Sequence, residues 1–122
     1  MPGFTKSPPE LVERFDAVTA EIADGERRQM FGYPALFVGG YHVAGLYQDS
    51  VIVRLAEADR AELLAVPGSG PFEPMPGRTM GGYAVLAPSI IADDAAVRRW
   101  LERAVEHVRS LPPKVPKTRK RG

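Results

Sequence analysis

The chain has 122 residues, a length typical of one domain, and a formal net charge of +1. It contains no cysteine, which excludes disulfide bonds and thiolate metal sites. Residues 1–10 lack the apolar core of a secretory signal, and no segment approaches the roughly 20 apolar residues of a membrane helix. We therefore expect a cytoplasmic protein that does not enter a membrane.

The positive charge is concentrated at the C-terminal end. Residues 112–122 carry five of the 16 basic residues and no acid, which leaves 11 basic against 15 acidic residues in 1–111 and a charge of −4 there. A domain that binds DNA through its folded surface usually carries a basic face. We therefore divide the chain into a mildly acidic domain, 1–111, and a basic, disordered tail, 112–122.

The first helix is predicted from its N-terminal signals. Ser7 and Glu10 have the spacing of a capping box, with proline at the favoured first position. Leu11, Phe15 and Val18 then recur at helical spacing and form one apolar stripe.

Short β segments follow, at 27–31, 35–38, 41–47 and 51–55. They are separated by tight turns at Gly32-Tyr33-Pro34, Gly39-Gly40 and Gln48-Asp49-Ser50. Such short connections predict an antiparallel meander, because parallel neighbours need long crossovers.

The rest of the chain predicts a short helix at 57–66, a strand at 79–87 and a final amphipathic helix. Asp93 and Asp94 are favourable residues for the start of that helix, and Pro112 follows its end. The order α-β-β-β-β-α-β-α predicts an α+β two-layer sandwich, with an antiparallel sheet of about five strands and helices on one face.

The residues that carry chemistry show no catalytic pattern. His42 and His107 lack a second ligand at a recognisable spacing, so we interpret both as ordinary surface or edge histidines. The serines occur at turns or helix ends, without a nucleophile elbow. We expect no metal, no cofactor and no enzymatic activity.

Two segments admit a second interpretation. The glycine-rich run 77–82 lacks the Gly-Lys-Ser/Thr ending of a P-loop and precedes a strand, so a turn is favoured over a phosphate site. Base stacking would suit a sheet face rich in aromatic rings interleaved with cations, although hairpin and core packing explains most of these rings. The rings in question are Phe31, Tyr33, Phe37, Tyr41, Tyr47, Phe72 and Tyr83.

The order of several short motifs resembles the TfoX N-terminal domain family, in the form of a short, single-domain TfoX/Sxy-like protein. The run 28–37 contains the Met-Phe-Gly signature of that family at Met30, Phe31 and Gly32. The likeness covers roughly residues 11–109. The other residues that carry the resemblance are Gly45, Tyr47, Gly77, Arg78, Met80 and Tyr83.

The resemblance implies an α+β fold, no catalytic residues and a role in transcription regulation through protein contacts. The family usually has a second glycine after Met-Phe-Gly, where this chain has Tyr33 and Pro34. Longer members have a further helical domain at the C-terminus, so regulation that depends on that domain is not expected here.

Three hypotheses remain. The first is a regulatory or protein-interaction module, whose partner is a transcription regulator or, as a homodimer, a second copy. The second is a nucleic-acid-binding accessory protein that contacts phosphates through Lys114, Lys117, Arg119, Lys120 and Arg121. The third is an enzyme or small-ligand binder with a pocket near Tyr33, Arg78 and Tyr83.

Overall fold

The structure is a computed structural model that describes residues 6–30, 32–74 and 77–112. Within these residues the chain forms six strands and four helices. In chain order they are α1 (Pro9–Thr19), β1 (Gly25–Met30), β2 (Tyr33–Val38), β3 (Tyr41–Tyr47), β4 (Ser50–Arg54), α2 (Glu57–Leu64), β5 (Gly70–Pro71), β6 (Tyr83–Val85), α3 (Pro88–Ile91) and α4 (Asp94–Arg109).

The strands form one open antiparallel sheet in the order β1-β2-β3-β4-β6-β5. The predicted α+β class is therefore confirmed. The sheet of the described residues has six strands instead of about five, because β5 pairs with β6 through two residues, Gly70 and Pro71. A single turn of helix, α3, also precedes α4.

Helices α1 and α4 pack against one side of the sheet, which we call the helix face. Phe15 of α1 and Leu101 of α4 are buried there against sheet residues such as Leu36 and Val53. Burial of each such apolar side chain stabilises the fold by roughly 1.5–3 kcal/mol. Among the described helices, none is long and apolar enough to cross a bilayer.

The two predicted helix caps differ in outcome. The Asp93 carboxylate accepts hydrogen bonds from the backbone N–H groups of Ala95 and Ala96, so this cap is confirmed. The Ser7 cap is wrong, because α1 begins at Pro9 and its N-cap is Pro8, which has no side-chain acceptor. Two consecutive prolines move the start of the helix beyond the reach of the Ser7 hydroxyl.

Candidate functional site

A β-bulge determines which side chains of β3 reach the side of the sheet opposite the helices, which we call the outer face. Leu36 pairs with Ala44, but the next residue, Phe37, pairs with His42, so Val43 is the extra residue of the bulge. Paired residues share a face, and successive residues of a strand alternate. His42 therefore lies on the outer face, whereas Ala44 lies on the helix face.

Aromatic rings cover much of the outer face. Six of the described rings contact one another in series, and we call this series the ring chain. Its centroid separations are 5.2 Å for Tyr33–Tyr47, 5.1 Å for Tyr47–Phe72, 6.4 Å for Phe72–Tyr83, 5.4 Å for Tyr83–His42 and 5.3 Å for His42–Phe37. These tilted and edge-to-face contacts are the arrangements that aromatic pairs favour.

Two guanidinium groups lie over this ring chain. The Arg28 Cζ atom lies 4.9 Å from the ring centroid of Phe37, and the Arg54 Cζ atom lies 5.9 Å from that of Tyr83. Both separations are within the range of cation–π attraction. Since Tyr33, Phe72 and Tyr83 are buried within the ring chain, their faces already have protein partners.

The imidazole of His42 lies at one bend of the ring chain and is only 6 % exposed. The interpretation of His42 as a surface or edge histidine is therefore wrong. Its Nδ1 atom lies 2.9 Å from the hydroxyl oxygen of Tyr83. Strict alternation of β3 would place His42 with Ala44 on the helix face. The one-residue bulge that overrides this alternation leaves no clear signal in the sequence.

The hydrogen bond between Tyr83 and His42 uses one of the two imidazole nitrogens. Its direction depends on the tautomer of His42, because a hydroxyl group can donate to Nδ1 or accept from it. The other nitrogen, Nε2, has no hydrogen-bond partner among the described residues.

Burial and charge together keep this imidazole neutral. Burial, followed by the positive charge of Arg54, lowers the pKa of His42 from 6.5 to about 4. Burial raises the pKa of Tyr83, and Arg54 partly opposes that increase. The Tyr83–His42 pair is thus uncharged near neutral pH and suits packing better than proton transfer.

Gly45 provides the space in which the His42 ring rests. A Cβ atom at Gly45 would lie 3.3 Å from Nε2 of His42 and 3.1 Å from the carbonyl oxygen of Pro34. Both separations are tighter than ordinary contacts with a Cβ atom. The resemblance to the family at Gly45 and Tyr83 therefore coincides with the two positions that hold His42.

The segment between β5 and β6 folds back over the outer face. The Tyr47 hydroxyl donates to the carbonyl oxygen of Pro74 at 3.0 Å, and the Met80 N–H donates to the carbonyl oxygen of Phe72 at 2.9 Å. Phe72 and Tyr83 enclose Ile52 in a small apolar cluster against which Met80 packs. Tyr47, Met80 and Tyr83 of the family signature are thus brought together.

The remaining signature residues lie at turns. Met30 ends β1, and Gly32 lies directly before β2 with φ of 81°. Gly77 has φ of 78°, and its N–H donates to the Glu73 carboxylate at 2.6 Å, while Arg78 is exposed. Phe31 and the tail residues Lys114, Lys117, Arg119, Lys120 and Arg121 lie outside the described residues.

Four grooves on the described part of the chain are lined by residues outside the ring chain. One, of about 580 Å³, separates α2 from α4 and is lined by charged residues that include Asp59 and His107. Within it, Arg103 approaches Asp59 at 3.6 Å and lies over the Trp100 ring at 4.6 Å. Four grooves of the described residues have linings that do not include Tyr33, Arg78 or Tyr83, and the hypothesis of a ligand pocket there stays a prediction. Across residues 6–30, 32–74 and 77–112, no three histidine or carboxylate side chains are grouped to hold a metal ion.

Strand β1 forms one edge of the sheet and lies directly before the signature turn. All six of its residues pair with β2, from Gly25 opposite Val38 to Met30 opposite Tyr33. In the described part of the chain, no other strand pairs with its second edge. The side chains of residues 26–29 are exposed along this edge.

The fold and the ring chain together define a small α+β domain whose sheet is covered by helices on one face and by aromatic side chains on the other. The chain matches the model of the TfoX N-terminal domain over residues 17–108, which is more than half of its length. It therefore belongs to the TfoX N-terminal domain family, and the resemblance seen in the sequence is confirmed. Comparison with curated proteins and with solved structures gives no match.

Proposed function

We propose that this chain is a non-enzymatic regulatory module that acts in the cytoplasm by binding protein and assists transcription regulation. The observation that carries the proposal is the edge of β1, which ends at Met30 of the family signature and pairs with no further strand among the described residues. An exposed strand edge offers backbone N–H and C=O groups to a strand of another chain. Membership of the TfoX N-terminal domain family supports the same role.

We assign structural roles to two ion pairs of α4 and to the buried histidine of the described residues. Arg98 pairs with Glu21 and Arg109 pairs with Asp24, so that α4 is tied to the segment after α1. These groups connect parts of the fold. The buried imidazole of His42, with its pKa lowered to about 4, is packed against Gly45.

Affinity capture from a lysate of the source cells tests the proposal. The bait proteins are the wild-type chain, Arg28→Glu on β1 and Arg99→Glu on α4, which makes the same charge change at another exposed position. We expect wild type and Arg99→Glu to capture the same protein, a transcription regulator, and Arg28→Glu to lose it. The proposal would be contradicted if the wild-type chain were a strict monomer and captured no protein reproducibly.

The charge of the tail favours a second candidate, a nucleic-acid-binding accessory protein. Residues 112–122 carry five cations against a body of charge −4. Phosphate contacts from such a tail would give affinity that depends strongly on salt and little on sequence. The salt dependence of DNA binding distinguishes this candidate from the first.

A further inference from the structure

The free edge of β1 carries a pattern of charge that is complementary to itself. Residues 26–29 are exposed, and the backbone of β1 is paired with β2 on one side only within the described residues. Long unpaired edges recruit other strands unless their side chains prevent it. The side chains of β1 therefore determine which strand can add to this edge.

The charged residues of β1 are divided between the two faces of the sheet. Glu26 pairs with Phe37 and Arg28 with Ala35, so both lie on the outer face, where they form an ion pair at 2.8 Å. Arg27 lies on the other face. There its Nε and Nη2 atoms donate to the two oxygens of Asp16, at 2.8 and 3.2 Å.

Symmetry limits the ways in which two copies of β1 can pair. A two-fold axis perpendicular to the sheet gives an antiparallel pair in which each residue faces one on the same face. If Arg27 lies at the centre, Glu26 of each copy faces Arg28 of the other. If Glu26 or Arg28 lies at the centre, it faces its own equivalent, and like charges meet.

Cross-strand charge therefore favours one register. Opposite charges across a strand pair stabilise it, and like charges destabilise it. In the register centred on Arg27, two ion pairs form on the outer face. The two central arginines are each already neutralised by Asp16, and the small Gly25 faces the uncharged Gln29.

We propose that β1 pairs antiparallel with β1 of a second copy, with Glu26 of each copy opposite Arg28 of the other. This inference rests on the proposed function, because it names the occupant of the same strand edge. The sheets of the two copies then join into one sheet. The alternation of charge disfavours the registers centred on Glu26 and on Arg28, which gives the pairing of two copies its register.

Charge reversal tests both the surface and the register. Light scattering is measured over a series of protein concentrations at low ionic strength, where screening is weak. Wild type should reach twice the 13.3 kDa of one chain. Glu26→Arg or Arg28→Glu alone should weaken the dimer roughly tenfold or more, because both cross-strand pairs become repulsive.

Mixing the two single variants is the decisive measurement. A copy with Arg at 26 and 28 complements a copy with Glu at both positions, so the mixture should form a dimer that neither variant forms alone. The double variant Glu26→Arg/Arg28→Glu should also dimerise, since the charges are only exchanged. Arg99→Glu and Glu102→Arg on α4 are the controls, and both should behave as wild type. Circular dichroism and thermal unfolding confirm that each variant is folded.

Three outcomes would overturn the inference. They are a wild-type mass that stays at 13.3 kDa throughout the series, a dimer unaffected by either reversal, and no dimer in the mixture. None of these outcomes contradicts the proposed function, because that function is tested by capture from a lysate. A strictly monomeric chain that captures a regulator through β1 keeps the function and rejects the second copy as occupant.

Discussion

The Tyr83 hydroxyl oxygen and Nδ1 of His42 lie 2.9 Å apart, and their hydrogen bond joins two strands that are not neighbours in the sheet. Strand β4 lies between β3, which carries the histidine, and β6, which carries the tyrosine. The bond therefore crosses the outer face above β4. It makes the outer face a second packed layer of the domain, with a polar pair at its centre.

The neutral state of His42 predicts that the domain loses stability in mild acid. The pKa of His42 is about 4 in the folded chain and near 6.5 when it is unfolded. Between these values the unfolded chain binds more protons, so stability is retained above pH 6.5 and falls as the pH decreases towards 4. From pH 7 to pH 5, His42 should contribute a loss of roughly 2 kcal/mol in the free energy of unfolding. Urea denaturation at the two pH values measures it.

The variant His42→Asn isolates this contribution. It removes the titrating ring and should be less stable than wild type at pH 7, because the packing around the imidazole is lost. Its further loss between pH 7 and pH 5 should nevertheless be smaller than that of wild type. An equal loss in both proteins would show that other groups cause the acid sensitivity.

The close approach at Gly45 predicts that a methyl group is not tolerated there. In Gly45→Ala, the new Cβ atom would push against the Pro34 carbonyl oxygen at 3.1 Å and against the His42 ring at 3.3 Å. Overpacking of this kind should lower the free energy of unfolding by roughly 1–3 kcal/mol. Denaturant titration of the purified variant measures the change.

Gly70→Ala is a matched control for this prediction. A Cβ atom at Gly70 would meet no atom within 4 Å, and the residue does not have a positive φ. The substitution should be neutral or stabilise by up to about 1 kcal/mol, because the unfolded chain loses freedom. Equal destabilisation at Gly45 and Gly70 would mean that the crowding at Gly45 is unimportant.

Much of the fold was predictable because its elements are long enough to show a period. The apolar stripe of α4 and the β-branched run of β4 are examples, and both elements occur where they were expected. Elements of two to four residues, such as β5 and α3, are too short to have a period. These short elements form through contacts with the elements adjacent to them in the fold, as β5 does by pairing with β6.

The outer face was less predictable than the fold. The sequence shows which rings are present but not that Tyr33, Tyr47, Phe72, Tyr83 and His42 contact one another in one series. That arrangement depends on the bulge at Val43 and on the return of the segment after β5. Both are tertiary features, since each requires strands that are distant in sequence to be paired first.

The two predicted helix starts give a direct comparison of capping energies. Asp93→Ala should lower stability by roughly 0.5–2 kcal/mol, because the N–H groups of Ala95 and Ala96 lose their acceptor. Ser7→Ala should change stability little, since the Ser7 hydroxyl makes no hydrogen bond among the described residues. Thermal unfolding of both variants checks this. An equal loss of stability in Ser7→Ala and Asp93→Ala would contradict the structure and support the predicted capping box at Ser7.

The charge of the tail predicts how the chain behaves with DNA if the nucleic-acid candidate is correct. Each phosphate contact releases condensed counterions and adds about 0.9 to the slope of log affinity against log salt, so five cations should give a slope of roughly 3–5. Fluorescent duplex DNA is titrated with the full chain, with a chain cut after Leu111, and with a full-length chain whose five tail cations are changed to glutamine. The truncated chain and the glutamine variant should both lose the salt dependence of binding, because the charge of the tail and not its length makes the phosphate contacts.

Retention of the salt dependence after truncation would reject the tail as a phosphate-binding arm. Absence of binding by all three proteins would leave protein contact through β1 as the function to pursue.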